Sequence, residues 1–288
     1  MNGSAPKTLT LGHVTGWGRD LLLLTFLVSA VLIFVLPFIF MLSTALKLPA
    51  QLYKVPLEWI PNPPAWHNFV EGWTIRPFSR FATNTLTIAM VAILGDVLSS
   101  ALVGFGFARL QFPGRDALFY VLLATAMIPI QATIIPVFLI YNGLGWINTF
   151  LPLTVPAYFA VRPMYVFLFR QFMLTIPQEY EEAARIDGAS PLQVFLRVFL
   201  PLSKPAVATV ALFSFVYHWN DFFEPLIYLN SLEKKTLVLG LTMLQGQYDE
   251  FWHLLMSVAV IIALPCVIVF LLGMRHFVQG VTLTGLKG

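Results

Sequence analysis

Apolar runs of membrane-crossing length alternate with short charged stretches along the chain. A helix needs roughly 20 apolar residues to cross ~30 Å of hydrocarbon at 1.5 Å per residue. The first run is residues 21–46, held between Asp20 and Lys47. The second, residues 82–108, lies between Arg80 and Arg109 and contains one charge, Asp96. The third covers about 117–141 and the fourth about 151–173, with Arg162 and Pro163 inside it. The fifth covers about 206–228 and the sixth about 254–274, ended by Arg275. This pattern predicts an all-α integral membrane protein with six transmembrane helices. A cleaved secretory signal has a shorter apolar core and a small-residue cleavage site, so the first run reads as an uncleaved span.

Composition supports that class. Of 288 residues, 58% are hydrophobic and 11% charged, with a mean hydropathy of +0.79. Ordinary soluble domains have about 45–50% apolar and about 25% charged residues. Neither a soluble fold nor a disordered chain fits. A disulfide scaffold is excluded because Cys266 is the single cysteine. The net charge of +3 bears on topology, not on nucleic acid binding. With the N-terminus inside, ten Lys and Arg fall on inner segments and six on outer ones. That bias places both termini, residues 1–20 and 276–288, in the cytoplasm.

The outer loop 47–81 is rich in proline, which argues against one continuous helix there. Its Trp59, Trp66 and Trp73 suit a headgroup belt or the docking of an external partner. The inner connection from Arg170 to Lys204 is different. Thr175-Ile176-Pro177-Gln178 reads as a helix start, with Thr175 as cap and Gln178 at the capping-box position. Glu179, Glu181 and Glu182 then favour the positive end of the helix dipole. The helix can run to Asp187 and stop at Gly188. Ser190-Pro191-Leu192-Gln193 repeats the start signal, and Leu200-Pro201 ends the second helix. Its Leu192, Phe195, Leu196 and Phe199 give it an apolar face. A solvated loop has no need of such a face, whereas a docking knob does.

Here the chain resembles a known family. Glu182-Ala183-Ala184, three residues, Gly188, nine residues, Val198, one residue, Leu200-Pro201 is similar to the EAA loop of binding-protein-dependent ABC importer permeases. Val198 stands where the family usually has Ile. The wider run Ile176-Pro177, Glu181-Glu182-Ala183-Ala184, Ile186-Asp187-Gly188-Ala189 is similar to the carbohydrate-uptake, maltose-type branch. Further matches are Asn84-Thr85, Ala108-Arg109, Phe112-Pro113-Gly114, Trp219-Asn220-Asp221 and Gly285-Leu286-Lys287-Gly288. The resemblance implies a type I ABC importer permease fold, with residues 82–275 as its core and the EAA loop as its cytoplasmic coupling helices. It implies a prokaryotic inner-membrane location and a second, homologous permease subunit. It also implies two ATPase copies carrying ATP and Mg, an extracytoplasmic sugar-binding protein and a carbohydrate substrate. The coupling residues would be Glu182, Ala183, Ala184, Asp187, Gly188, Leu200 and Pro201. Lys287 in the tail would reach toward the ATPases.

The chain carries no G-x-x-x-x-G-K-[ST] phosphate loop and no H-E-x-x-H, and its five histidines have no zinc spacing. Neither a catalytic set nor a metal or cofactor site is expected on it, so energy comes from a gradient or a partner. Charges inside spans are expensive, and they normally face partners or water. Asp96 is 13 residues past Thr83 and Arg162 is 11 past Leu151, or about 20 and 17 Å along a helix. At such similar depths the two are expected to pair or to share a polar cavity, serving either substrate or helix orientation. His218, Trp219, Asn220 and Asp221 suit pore or gate lining for a sugar. They equally suit a polar seam between helices. The competing functional class is a gradient-driven transporter or channel, often built on internal repeats; no convincing repeat is visible. A membrane-embedded enzyme would need a catalytic cluster at one face, and none is evident.

Overall fold

The computed structural model describes residues 14–245 and 251–282, and all regular structure among them is helical. Helices satisfy every backbone polar group within one segment, as hydrocarbon requires. Helix α1 (Val14–Ala45) runs 32 residues. Its side chains from Leu21 to Ile39 are largely exposed, and it is anchored where Ser43, Thr44 and Ala45 are buried. The segment 47–81 holds a 3-10 turn (Pro49–Gln51) and a short α-helix, α2 (His67–Thr74). Asn68 pins it: its Nδ2 donates to the Ala45 and Lys47 carbonyls at 2.8 and 2.9 Å.

Helix α3 (Phe78–Arg109) is the axis of the fold. It buries one face from Phe81 through Ile88, Asp96 and Ala101 to Ala108. At Gly104 a Cβ would lie 2.7 Å from Phe169 Cβ, so glycine lets the next long helix approach closely.

The third span is not straight. It divides into α4 (Arg115–Thr125) and α5 (Ile130–Gly143), bent by 96°. Pro129 causes this, because it lacks an N–H and excludes αR geometry at Ile128. The fourth span is also broken. Helix α6 (Leu151–Thr154) continues as a 3-10 turn to Phe159, and then Ala160 is left-handed at φ +52°. Arg162 is extended (φ −108°), as a residue before proline prefers, and Pro163 opens α7 (Pro163–Leu174).

The inner connection forms α8 (Glu179–Ile186) and α9 (Pro191–Leu202). The chain then turns 78° into α10 (Lys204–Asn220). The fifth span therefore ends at Asn220, not near residue 228. Asp221 breaks it by capping α11 (Phe223–Tyr228), its Oδ1 accepting from the Glu224 N–H at 3.3 Å. An unexpected apolar helix, α12 (Leu237–Gln245), buries Leu237 and Leu244 against Phe78 and Phe81. Nine residues are too few to read as a span. The sixth span lies within α13 (Trp252–Thr282); its apolar membrane-length part, Trp252–Gly273, is close to the 254–274 that hydropathy predicts. By length and apolarity four stretches can cross a membrane alone, or six if each bent pair counts once.

Candidate functional site

Two places bring the chemistry-bearing residues together. The first is the α8–α9 segment. Glu179, Glu181 and Glu182 occupy the first turn of α8, and Arg185 Nη2 donates to Glu181 Oε1 at 2.6 Å. Asp187 caps the helix and Gly188 follows at φ +79°, the left-handed stop anticipated there. Ala189 N–H reaches back to the Ala184 carbonyl at 3.0 Å. Ser190 and Gln193 form a capping box at the start of α9. Glu182 and Ala183 are exposed and Ala184 is partly buried.

Two details differ from the sequence reading. Thr175 does not cap α8; its hydroxyl donates to the Phe172 carbonyl at 2.7 Å and closes α7, and α8 begins at Gln178. Leu200-Pro201 does not end α9, which continues to Leu202. A π turn over Phe195–Phe199 widens the coil just before Pro201, where an α-turn would set the ring against the Arg197 carbonyl. Leu200 packs against the core and Pro201 is exposed. The apolar face of α9 splits in two. Phe195 and Phe199 are buried under α3, while Leu192 and Leu196 are exposed, as are Tyr180 and Ile186 on α8.

The second place is a polar cluster inside the spans. Asp96 is fully buried on α3. Its Oδ2 accepts from Ser214 Oγ at 2.7 Å and lies 3.2 Å from His218 Nε2. Arg162 Nε is 3.4 Å from the same oxygen, an ion pair by distance without hydrogen-bond geometry. The Arg162 guanidinium also stacks 3.6 Å over the Tyr217 ring, and Tyr217 donates its hydroxyl proton to Glu224 Oε1 at 3.1 Å. Arg162, Tyr217 and Glu224 line an open cleft of about 620 Å³. Tyr141, Tyr228 and the bend at Ile128 complete its wall.

The run His218–Asp221 divides. Only His218 joins Asp96 and the cleft. Trp219 stacks on Phe215 and donates its indole N–H to the Ile262 carbonyl at 3.0 Å. Asn220 Nδ2 donates to the Val216 carbonyl and to Cys266 Sγ. Trp219 and Asn220 are therefore a seam between α10 and α13 and do not line the cleft. Lys287 lies outside the described residues. Sequence reasoning missed Ser214 and Tyr217. The signal was available for Ser214, which stands one turn before His218 on the same helix face.

Among the described residues no group of three His, Cys, Asp or Glu could hold a metal ion. Residues 100–283 match the family model for "Binding-protein-dependent transport system inner membrane component". The chain belongs to that family. The arabinooligosaccharides transport system permease protein AraQ of Bacillus subtilis (strain 168) is 31% identical over 89% of this chain and 92% of its own length. The sn-glycerol-3-phosphate transport system permease protein UgpE of Yersinia enterocolitica is 29% identical, covering 91% and 96%. A crystal structure of a bacterial ABC transporter involved in the import of the acidic polysaccharide alginate superposes with a TM-score of 0.77 at 21% identity. That match covers 96% of this chain and 100% of the other. As an inner membrane component, the chain is a permease part of a transport system, not an enzyme.

Proposed function

We propose that this family member is one of two membrane subunits of an ATP-driven importer that moves a neutral saccharide delivered by an extracytoplasmic binding protein. The α8–α9 segment carries the reading. It is short, stopped at Gly188 and capped again at Ser190, and it exposes Tyr180, Ile186, Leu192 and Leu196. An apolar patch on a polar knob fits a cleft on a partner. The partners are two ATPases, which hold the ATP and Mg. Their closure moves the segment and switches the cleft between the two membrane faces. Glu182, Ala183, Ala184, Asp187, Gly188, Leu200 and Pro201 form the contact and its bend. A second permease subunit supplies the other half of the path.

Charge in the cleft supports a neutral substrate. Arg162 is the one Lys or Arg lining it, and that charge is held by Asp96. Glu224, hydrogen-bonded to Tyr217, adds a second carboxylate, at the wall. An acidic sugar would meet net repulsion, whereas the tyrosines offer rings and hydroxyls to a neutral one.

The test is the reconstituted complex. It is expected to purify with a second membrane subunit and two ATPase copies. Gly188→Pro cannot adopt the left-handed stop and loses the Gly188 N–H bond to the Arg185 carbonyl. That variant is expected to assemble and hydrolyse ATP while losing sugar uptake. Normal uptake by the variant, or full uptake by this chain alone, removes the proposal. A neutral trisaccharide on the binding protein should stimulate the ATPase, and a triuronate should not.

A further inference from the structure

Arg109, the last residue of α3, does something that neither the family match nor the motif explains. Its Nη2 donates to the Met173 carbonyl at 2.5 Å and also to the Ile176 carbonyl. The first belongs to the final turn of α7, where it also accepts from the Ile176 N–H at 3.3 Å. The second lies in the connection into α8. The same guanidinium stacks 4.7 Å over the ring of Phe199, in α9. One side chain therefore joins α3, the α7–α8 connection and α9. Among the described residues Arg109 makes no ion pair; its Nη2 is spent on backbone carbonyls, while its buried Nε has no hydrogen-bond partner. Only a planar fork donates in its plane while stacking through its face.

The surroundings isolate this contact. Beside Arg109 an open cleft of about 670 Å³ separates the end of α3 from Glu181, Glu182 and Arg185 on α8. Beneath it Phe105 packs on Phe195 and Phe199, with centroids at 5.4 and 5.2 Å. The end of α3 is thus clamped to the base of the α8–α9 segment and free of its tip. Thirteen residues back along the same helix sits Asp96, about 20 Å away.

We propose that Arg109 is a positioning residue that locks the α8–α9 segment to α3, so that a displacement of that segment is delivered through α3 to the Asp96–Arg162–His218 cluster. The proposal rests on the reading of α8–α9 as the ATPase contact. Packed interiors shift as units and do not compress. With the lock in place, segment and helix move together. Without it, the segment swings on Gly188 and the connection at Ile176 while α3 stays behind.

The experiment uses the assembled complex in nanodiscs, with Cys266→Ser and nitroxides attached at Glu179→Cys on α8 and Leu94→Cys on α3. Glu179, outside the apolar patch of α8–α9, and Leu94 are exposed. The inter-label distance is measured without nucleotide and after trapping with MgATP and vanadate. With Arg109 intact, the distance is expected to hold within about 2 Å, the scale of shifts inside one packed body. Arg109→Gln is expected to let it change by more than about 5 Å, near one helical turn. Arg109→Lys keeps donors but loses the stack, and should fall between. An unchanged distance in Arg109→Gln overturns the proposal, as does a change above about 5 Å in the unaltered complex. Should Arg109→Gln fail to assemble, Phe199→Leu removes only the ring and must loosen the distance in the same direction; no loosening overturns the proposal. Gly188→Pro is run in parallel. If it transports normally, the ATPase-contact reading has failed. If it uncouples while Arg109→Gln holds its distance, only the lock has failed.

Discussion

Asp96 is a buried carboxylate held by one hydroxyl, one imidazole and one guanidinium. Removing one partner of a buried pair costs about 3–5 kcal/mol, because the other charge is left stranded. Arg162→Met is therefore expected to lower the unfolding temperature of the purified complex markedly. Adding Asp96→Asn should recover part of the loss, with a coupling energy above about 1 kcal/mol in a double-mutant cycle. Strict additivity would mean that the pair contributes nothing. The pairing was anticipated from depth along two continuous helices; α3 is one, but the chain from Leu151 to Arg162 is broken at Ala160 and Arg162 is extended, so Arg162 reaches Asp96 from a break rather than from a helix face. Direction around the helix was not legible. His218, Trp219 and Asn220 are consecutive and polar-tipped, and they look like one patch. At about 100° per residue they part: His218 meets Asp96 on α3, while Trp219 and Asn220 meet α13 at Ile262 and Cys266. Which of those directions holds the cleft depends on neighbours that no local pattern reveals.

Elements show the same division between what is local and what is not. The caps of α8 and α9 were legible at Gly188 and Ser190, where the chain satisfies itself. Ser190→Ala removes the hydroxyl that accepts from Gln193 N–H, at a cost of about 1 kcal/mol. Amides at the start of α9 should then exchange with deuterium several-fold faster, and unchanged exchange would show that the box is idle. Thr175 carried an equally good start signal and ends α7 instead. Its hydroxyl had two helices within reach, and composition does not choose between them. The breaks at Pro129 and Pro163 follow from proline sterics, yet Pro37, Pro136 and Pro265 sit inside unbroken helices. Close packing of α3 on α7 gives a cleaner prediction. Gly104→Ala places a methyl 2.7 Å from Phe169 Cβ and 3.1 Å from the Arg170 nitrogen. It should destabilise the complex by about 1–3 kcal/mol as an overpacking change. Gly106→Ala, with nothing within 4 Å of its added carbon, should be neutral or slightly stabilising in the same thermal assay.

The molecule as a whole was legible in the kind of its spans, because a hydropathy window reads the length of hydrocarbon to be crossed; six is reached where each bent pair counts as one span. Helix α12 escaped it for the opposite reason: it is apolar but short, and it is buried by Phe78 and Phe81 rather than by lipid. Orientation rests on a different quantity, the placement of Lys and Arg. Ten stand on one side and six on the other, and translocation disfavours the richer side. On the proposed function the richer side is the cytoplasm: α8–α9 lies there, within reach of the ATPases, and the loop before α2 lies outside, within reach of the binding protein. Ile60 in that loop and Ile186 on α8 are both highly exposed. In a Cys266→Ser background, Ile60→Cys should react with a membrane-impermeant maleimide in intact spheroplasts. Ile186→Cys, in cells lacking the ATPase subunits, should react only after permeabilisation. The reverse pattern would place the α8–α9 knob on the side without ATP, and no coupling through it could then operate.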